Sequence, residues 1–520
     1  MPPLPLARIS RGRTRTSRLS YRPLPIDGYV TGFTPDNPSF FVTVETTHHA
    51  MTLNRLAIPA LACVFMASAA LRASAAGGDY LAPLSVDLRD RVARARDEGR
   101  MAAPAMMWPA TAAVLRAAGT EPPRCDGSAA FDAQYNDRGE RLVLGFADGA
   151  PAERRFGAQS CIAPAETFVT RVRANAERTG NDWTAHLDGS YLGFTWAGAL
   201  FTAGAISRFW GPAWSGSLIL GDNARAVPAV SVRRADPTQA FSTPWLSWLG
   251  AWDAEFFLGQ LQGHSEPRAP RFFGMRIEAA PFGLLTLGAS RTAQWGGAGR
   301  SNSVRTFWNA LIGSDNLGSG GIDEANEPGN QLGGFDLRFS LAPLGVPAAL
   351  YTQWIGEDEA GGLPAKYMSL TGAETWFESS AWRWRAVIEH VDTVAGKKDE
   401  YPGTAYRHHV YRQGYTQRGR ILGFSLGTDI RATVVQVHAF HGSAWSGSVH
   451  LLRGRTNPGA IAALPYAANS SLRGEEVRVR YRVADAATFT LRLGRSRYTP
   501  WGGSAVDETV AGLHGELFVP

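Results

Sequence analysis

The chain has 520 residues, 44% hydrophobic, 19% charged and 11% aromatic, a composition that can bury a core and excludes a disordered chain. Its net charge of +6 is concentrated at the start: residues 1–50 hold six Arg against three acids and Arg55 and Arg72 follow, so the remainder is close to neutral. A near-neutral body has no electrostatic case for binding nucleic acid.

In chain order, the first legible element begins at Met51. A short n-region ends at Arg55, an apolar stretch runs from Leu56 to Leu71, and Ala73-Ser74-Ala75 supplies small side chains for cleavage. Residues 51–75 therefore read as a secretory signal peptide, with residues 1–50 as an over-extended start or leader. No later stretch offers eighteen uninterrupted apolar residues, which excludes α-helical membrane spans. Cys63 falls in the signal. The remaining two, Cys125 and Cys161, lie in an oxidising compartment and are expected to form a disulfide rather than a metal site or a nucleophile.

Residues 76–125 read as a small helical element. Leu84, Leu88, Val92 and Ala95 have a 3.6-residue spacing, predicting a helix over 84–98 with Gly99 as its stop. A second, short helix is predicted over 109–118, with Pro109 in its first turn. After Gly127 the period becomes two. Val477, Val479, Tyr481 and Val483 alternate with Arg478, Arg480 and Arg482, and Trp382, Trp384, Ala386 and Ile388 alternate with Arg383, Arg385, Val387 and Glu389. About 16–18 such runs of ten to thirteen residues fill 126–520.

A soluble β-sandwich accounts for any one such run. The run length favours an all-β transmembrane barrel of antiparallel strands, because a tilted strand crossing a bilayer needs roughly 9–11 residues whereas soluble strands centre near 5–6. Aromatic residues near strand ends (Trp196, Trp354, Trp376, Trp382) point the same way, as do short joints (Ala342–Gly345, Thr428–Asp429) alternating with long ones (about 296–330 and 394–419). Leu287–Gly297 and Leu493–Gly503 echo one another, as do Gly211–Leu220 and Gly442–Leu451, which reads as repeated local hairpins.

Several motifs carry possible chemistry. Gly423-Phe-Ser425-Leu-Gly427 fits the G-x-S-x-G elbow of hydrolases but falls within a predicted strand, the wrong context for a nucleophile. His438 and His441 have opposite parity, and His408 and His409 read as surface residues, so no metal and no cofactor is expected. Trp210, Trp214, Trp245 and Trp248, with Asp222, Asn223 and Arg225, supply the rings and planar polar groups that sugars stack on and bond to. They are the candidate polysaccharide-binding residues, with Trp210, Trp214 and Arg225 expected to make the sugar contact at the extracellular rim. The alternative for each Trp is girdle or loop packing, and a turn facing inward at Gly211-Pro212 would set Trp210 and Trp214 against the helical element. Asp336, Arg338, Arg383, Arg385, Glu389, Arg478, Arg480 and Arg482 are expected to face the lumen and pair across it.

Ala205–Arg234, Gly288–Arg300, Asn330–Leu341 and the Met107-Trp108-Pro109 element resemble the Wzi-type capsule-assembly family of Gram-negative outer-membrane proteins, from about Tyr80 to the C-terminus. The resemblance implies an eighteen-stranded outer-membrane barrel blocked at its periplasmic end by a helical bundle, acting without catalysis as a lectin-like anchor for capsular or extracellular polysaccharide. The partners so implied are that polymer, outer-membrane lipid and the barrel insertion machinery, with the barrel a monomer. The sequence departs from the usual barrel ending in having Phe518 as its last aromatic, two residues before Pro520. A porin-like solute channel and a barrel hydrolase are the competing functions. The charged lumen and helical plug oppose the first, and the lack of a Ser or Asp paired with a base opposes the second.

Overall fold

The computed structural model describes residues 80–519, apart from 140, 141, 144, 166, 313–328, 361, 362, 397–400 and 463. The expected leader and signal segments and Pro520 lie outside the described residues.

One closed antiparallel barrel of eighteen strands contains nearly all the regular structure. The first six are β1 (Asp126–Asn136), β2 (Arg154–Ala165), β3 (Phe168–Thr179), β4 (Asp182–His186 and Tyr191–Trp196, both paired with β3), β5 (Ala199–Ala205) and β6 (Pro228–Arg234). Then come β7 (Ala251–Gln260), β8 (Arg271–Phe282), β9 (Leu285–Trp295), β10 (Gly329–Ser340), β11 (Ala348–Ala360) and β12 (Leu363–Ser379). The last six are β13 (Trp382–Asp392), β14 (Ile430–His441), β15 (Trp445–Thr456), β16 (Ser470–Val483), β17 (Ala487–Tyr498) and β18 (Val506–Val519). β18 closes the ring on β1, from Ala129 opposite Val519 to Asn136 opposite Gly512.

Period two sorts the side chains. Phe131, Ile277, Phe335, Leu350, Ile388, Val449, Val477, Val479, Leu491 and Leu513 are exposed on the outer wall, while Asp132, Arg276, Asp336, Glu389 and Arg385 are buried on the inner one. An exposed apolar wall around a buried polar interior is the inverse of a soluble sandwich and suits hydrocarbon outside. Trp354 and Trp382 lie on the outer wall as expected, and Trp196 is 70% exposed. Trp376 does not. It is 4% exposed and faces inward, where the Arg338 and Arg385 guanidiniums lie over its ring.

Joints at one end are short, as at 283–284, 380–381 and 484–486; those at the other include 137–153, 261–270 and 393–429. Thr428-Asp429, expected as a short joint, instead ends the long segment 393–429, because β14 does not begin until Ile430. The Gly423–Gly427 motif lies in that same segment as turn and bend, not strand. The Gly211–Leu220 and Gly442–Leu451 echo does not mark equivalent hairpins either: the first folds into the lumen, the second makes a tight turn and enters β15.

The N-terminal helices are α1 (Val86–Asp97), capped by the Ser85 hydroxyl accepting from Leu88 N, and α2 (Ala112–Ala117), capped by Thr111 accepting from Val114 N. Thr111 rather than Pro109 begins the second helix, which is shorter than predicted. A third helix, α3 (Val304–Ile312), packs Phe307 over Phe273 and Trp295 on the outer wall near the long-loop end.

The sidedness of β17 is directly testable. Leu491→Arg places a charge on the outer wall and should cost about 2–4 kcal/mol in reversible urea unfolding from lipid vesicles, whereas Thr490→Arg, one residue away and facing the lumen, should cost much less. Equal costs would contradict the assigned faces.

Candidate functional site

What fills the lumen follows from where its charges find partners. α1 carries Arg89, Asp90, Arg94, Arg96 and Asp97, all buried. Burying them is costly unless each is paired. The partners come from the wall. Asp90 receives Arg385 Nε at 2.8 Å and Arg383 Nη1 at 2.5 Å, and Asp97 takes a two-toothed contact from Arg338 at 2.6 and 2.8 Å. Arg94 and Arg96 donate to the carbonyls of Trp384 and Phe282, each at 2.7 Å, near the short-turn ends of β13 and β8. Burial alone would raise the Asp90 carboxyl, but Arg385 and Arg94 beside it hold it below the ordinary carboxylate range.

Glu374 of β12 ties this network to the next layer. It accepts from Arg338 Nε at 2.8 Å, Arg385 Nη1 at 2.6 Å and the Trp214 indole N–H at 2.9 Å. Trp214 belongs to the segment 206–227, which leaves the wall after β5 and folds inward. Backbone amides inside a barrel need acceptors, and wall side chains supply them. Glu389 accepts from Trp214 N at 2.6 Å and Ser215 N at 2.9 Å, while Gln353 accepts from Leu218 N at 2.8 Å and donates to the Trp210 carbonyl at 3.0 Å. Gly211, at φ +129°, is needed here because a Cβ would sit 2.5 Å from Gln353 Nε2. From the long-loop side, the Tyr406 and Tyr415 hydroxyls donate to the Leu218 and Ile219 carbonyls at 2.7 and 2.8 Å. Plug, infolded segment and loop 401–429 are thus stacked along the barrel axis.

Trp210 and Trp214 are 0% and 2% exposed, so the structure corrects their expected place at an extracellular rim. The alternative placement holds: the Gly211-Pro212 turn faces the plug, and the Arg89 guanidinium donates to the Pro212 carbonyl at 2.8 Å and lies 4.5 Å from the Trp214 ring centroid. Asn223 is buried, bonded to the Ile421 carbonyl at 2.7 Å. Asp222 is buried too; desolvation, then the nearby Asp148, push its carboxyl up to about 7. Arg225 pairs with Asp188 at 2.5 Å. Trp245 and Trp248 are exposed, but they lie in the 235–250 connection at the short-turn end, outside the infolded segment that holds the other five. The seven residues therefore do not form one surface.

Seven of the eight expected lumen charges are ion-paired or hydrogen-bonded. Asp336 holds Arg276 at 2.6 Å, Arg478 holds Asp148 at 2.8 Å, and Arg482 reaches Asp485 at 2.8 Å. Arg480 has no ion pair or hydrogen bond to any described residue. Sequence reasoning missed the plug half of the network, Asp87, Asp90 and Asp97, and the wall residue Glu374. The signal was present, since positions 90 and 97 are two turns apart on one helix face. Cys125 and Cys161 are disulfide-bonded, joining the start of the barrel to β2. Ser425 makes no hydrogen bond to a histidine or carboxylate among the described residues.

Beside the plug, a cavity of about 980 Å³ remains between it and the wall of β14–β18 and β1–β4. Its lining includes the turn residues Ser443, Ala444 and Asp485 and Val519 at the end of β18, so it opens at the short-turn end. Asp148, Gly149 and Ala150 with Asp222, Ala224, Arg225 and Ala226 line its inner end.

An apolar outer wall closed around a plugged, ion-paired lumen defines an occluded outer-membrane barrel. Residues 124–502 match the family model of the capsule assembly protein Wzi, and the chain belongs to that family. Wzi of Escherichia coli, described as an outer-membrane protein involved in group 1 capsule assembly and as a carbohydrate-binding β-barrel, superposes with a TM-score of 0.73 at 25% identity, over 84% of this chain and 99% of that one. An uncharacterised 55.8 kDa protein from the cps region of Klebsiella pneumoniae is 36% identical over 234 residues, which is 44% of this chain and 45% of that protein. Outer-membrane barrels as a class carry their short turns on the periplasmic side.

Asp90→Ala leaves Arg385 without its plug partner and Arg383 with Asp87 alone, a loss of about 3–5 kcal/mol for a broken buried pair. Limited trypsin digestion in detergent should then cut at Arg94, Arg96 or Arg100 in the variant while these bonds in the wild type resist. Equal resistance would show that the ion pairs do not hold the plug.

Proposed function

We propose that this protein is a lectin-like outer-membrane anchor that retains capsular or other extracellular polysaccharide at the cell surface. The observation that carries this reading is the family match across residues 124–502. The filled lumen supports it over a solute channel, because the plug is bonded to the wall through Asp90, Asp97, Arg338 and Arg385. We read the protein as non-catalytic, since the Ser425 hydroxyl has no base within hydrogen-bond reach among the described residues and lies outside a strand-turn-helix elbow. On this reading residues 51–75 direct export, residues 1–50 are dispensable, residues 76–125 are the periplasmic plug and residues 126–520 the barrel. Lipid, the insertion machinery and the polymer are its partners, and it acts as a monomer.

Deleting the gene should move polysaccharide from the cell-bound to the shed fraction with total polymer unchanged, and the full chain supplied in trans should reverse this. Retention unchanged by the deletion would overturn the reading.

A further inference from the structure

The cavity beside the plug is lined by ten arginines and nine Asp or Glu residues. Eight of these arginines are consumed in ion pairs within the protein, among them Arg155 with Glu177, Arg173 with Asp132, Arg225 with Asp188 and Arg478 with Asp148. Arg171 and Arg480 are the exceptions. Neither side chain has an ion pair or a hydrogen bond to a described residue, and the Arg171 Nε is buried with no acceptor. They stand on opposite sides of the β17–β18–β1–β2 arc, Arg171 opposite Cys161 on β2 and Arg480 opposite Thr490 on β17. The carboxylate whose charge both feel is Glu516, between them on β18, and it already accepts from Gln159 at 3.1 Å.

A guanidinium presents a planar fork of donors, and leaving it buried without an acceptor is costly. In eight cases the fold supplies that acceptor itself. Besides these charges the lining offers neutral hydroxyls and amides, including Gln134, Ser448 and Thr490, the last opposite Arg480. Cations without counterions, set among groups that can exchange hydrogen bonds with sugar hydroxyls, form a site for an anion carried on a polyol. The volume, about 980 Å³, lies at the upper end of the roughly 300–1,000 Å³ of small-ligand pockets, room for a few sugar units but not for a threading polymer.

We propose that this periplasm-facing vestibule binds an acidic oligosaccharide, a short uronate-bearing segment, with Arg171 and Arg480 each engaging a carboxylate on either side of Glu516. The proposal rests on the polysaccharide-anchoring reading for its ligand class, but it assigns binding to the inner mouth of the barrel instead of the cell surface. It also gives Arg480, which the sequence pattern placed in a lumen charge network, a role outside that network.

The test is calorimetric titration of the purified full-length protein in detergent with trigalacturonate, with maltotriose as the uncharged probe of equal length and inorganic phosphate as the free anion. Trigalacturonate should bind, maltotriose should bind at least tenfold more weakly, and Arg171→Gln/Arg480→Gln should weaken trigalacturonate at least tenfold while heat-modifiability on gels shows the barrel intact. Should the double substitution fail to fold, Arg480→Gln alone, at a residue with no hydrogen bond to lose, gives the same reading with a smaller loss. Trigalacturonate binding unaffected by the substitutions overturns the site, and phosphate binding as tightly as trigalacturonate reduces it to a simple anion site and overturns the sugar assignment. These outcomes are independent of surface retention. A deletion strain that still holds its polymer would refute the anchoring role even if trigalacturonate bound here, and a strain that sheds it would leave that role intact even if trigalacturonate did not.

Discussion

Glu374 and Asp90 are the carboxylates on which the interior depends. An eighteen-stranded ring is too wide for its own side chains to fill, so something must occupy the lumen or water will. Here the wall carries the arginines, the plug carries matching acids, and Arg385 bonds to Asp90 on one side and Glu374 on the other. Glu374 then reaches the indole of Trp214, so the same carboxylate seats the infolded segment on the plug. Ion pairs of this kind add little net stability over apolar packing, yet breaking one leaves a stranded charge. They consequently fix where the plug sits more than how tightly the barrel folds.

The arrangement divides the barrel lengthwise. Against β8–β13 the plug is clamped by ion pairs and by carbonyls at the strand ends. Against β14–β18 and β1–β4 it stands away from the wall, and the vestibule lies in the gap. Toward the long-loop end both halves are covered by the infolded segment and the tyrosines of 401–429 that hold it. The long-loop end is therefore closed by loops, while the short-turn end opens on a polar pocket with two uncommitted cations.

The barrel was legible because period two over ten or more residues has few other physical explanations, and β13 and β16 follow their predicted faces residue by residue. Trp376 was misplaced for the opposite reason: an aromatic near a strand end suggests a girdle, but parity decides, and parity turns it inward onto Arg338 and Arg385. The dense aromatic stretch around Trp210 carried a true signal with an ambiguous meaning. Rings among Gly, Ser and Asn suit a sugar platform, and they equally suit a loop that must be buried among wall side chains able to satisfy its backbone. Sequence cannot choose between these without knowing that Glu389 and Gln353 wait opposite. The charges of α1 gave no sign of their partners, because a helix inside a polar lumen has the same amphipathic pattern as one at a protein surface.

Plug, infolded segment and loops together seal this barrel, which serves attachment rather than passage. Reconstitution of the purified full-length protein into planar bilayers tests it most directly. The sealed structure predicts no large steady current at moderate voltage. Stable ohmic steps of the size seen with open general porins would contradict it.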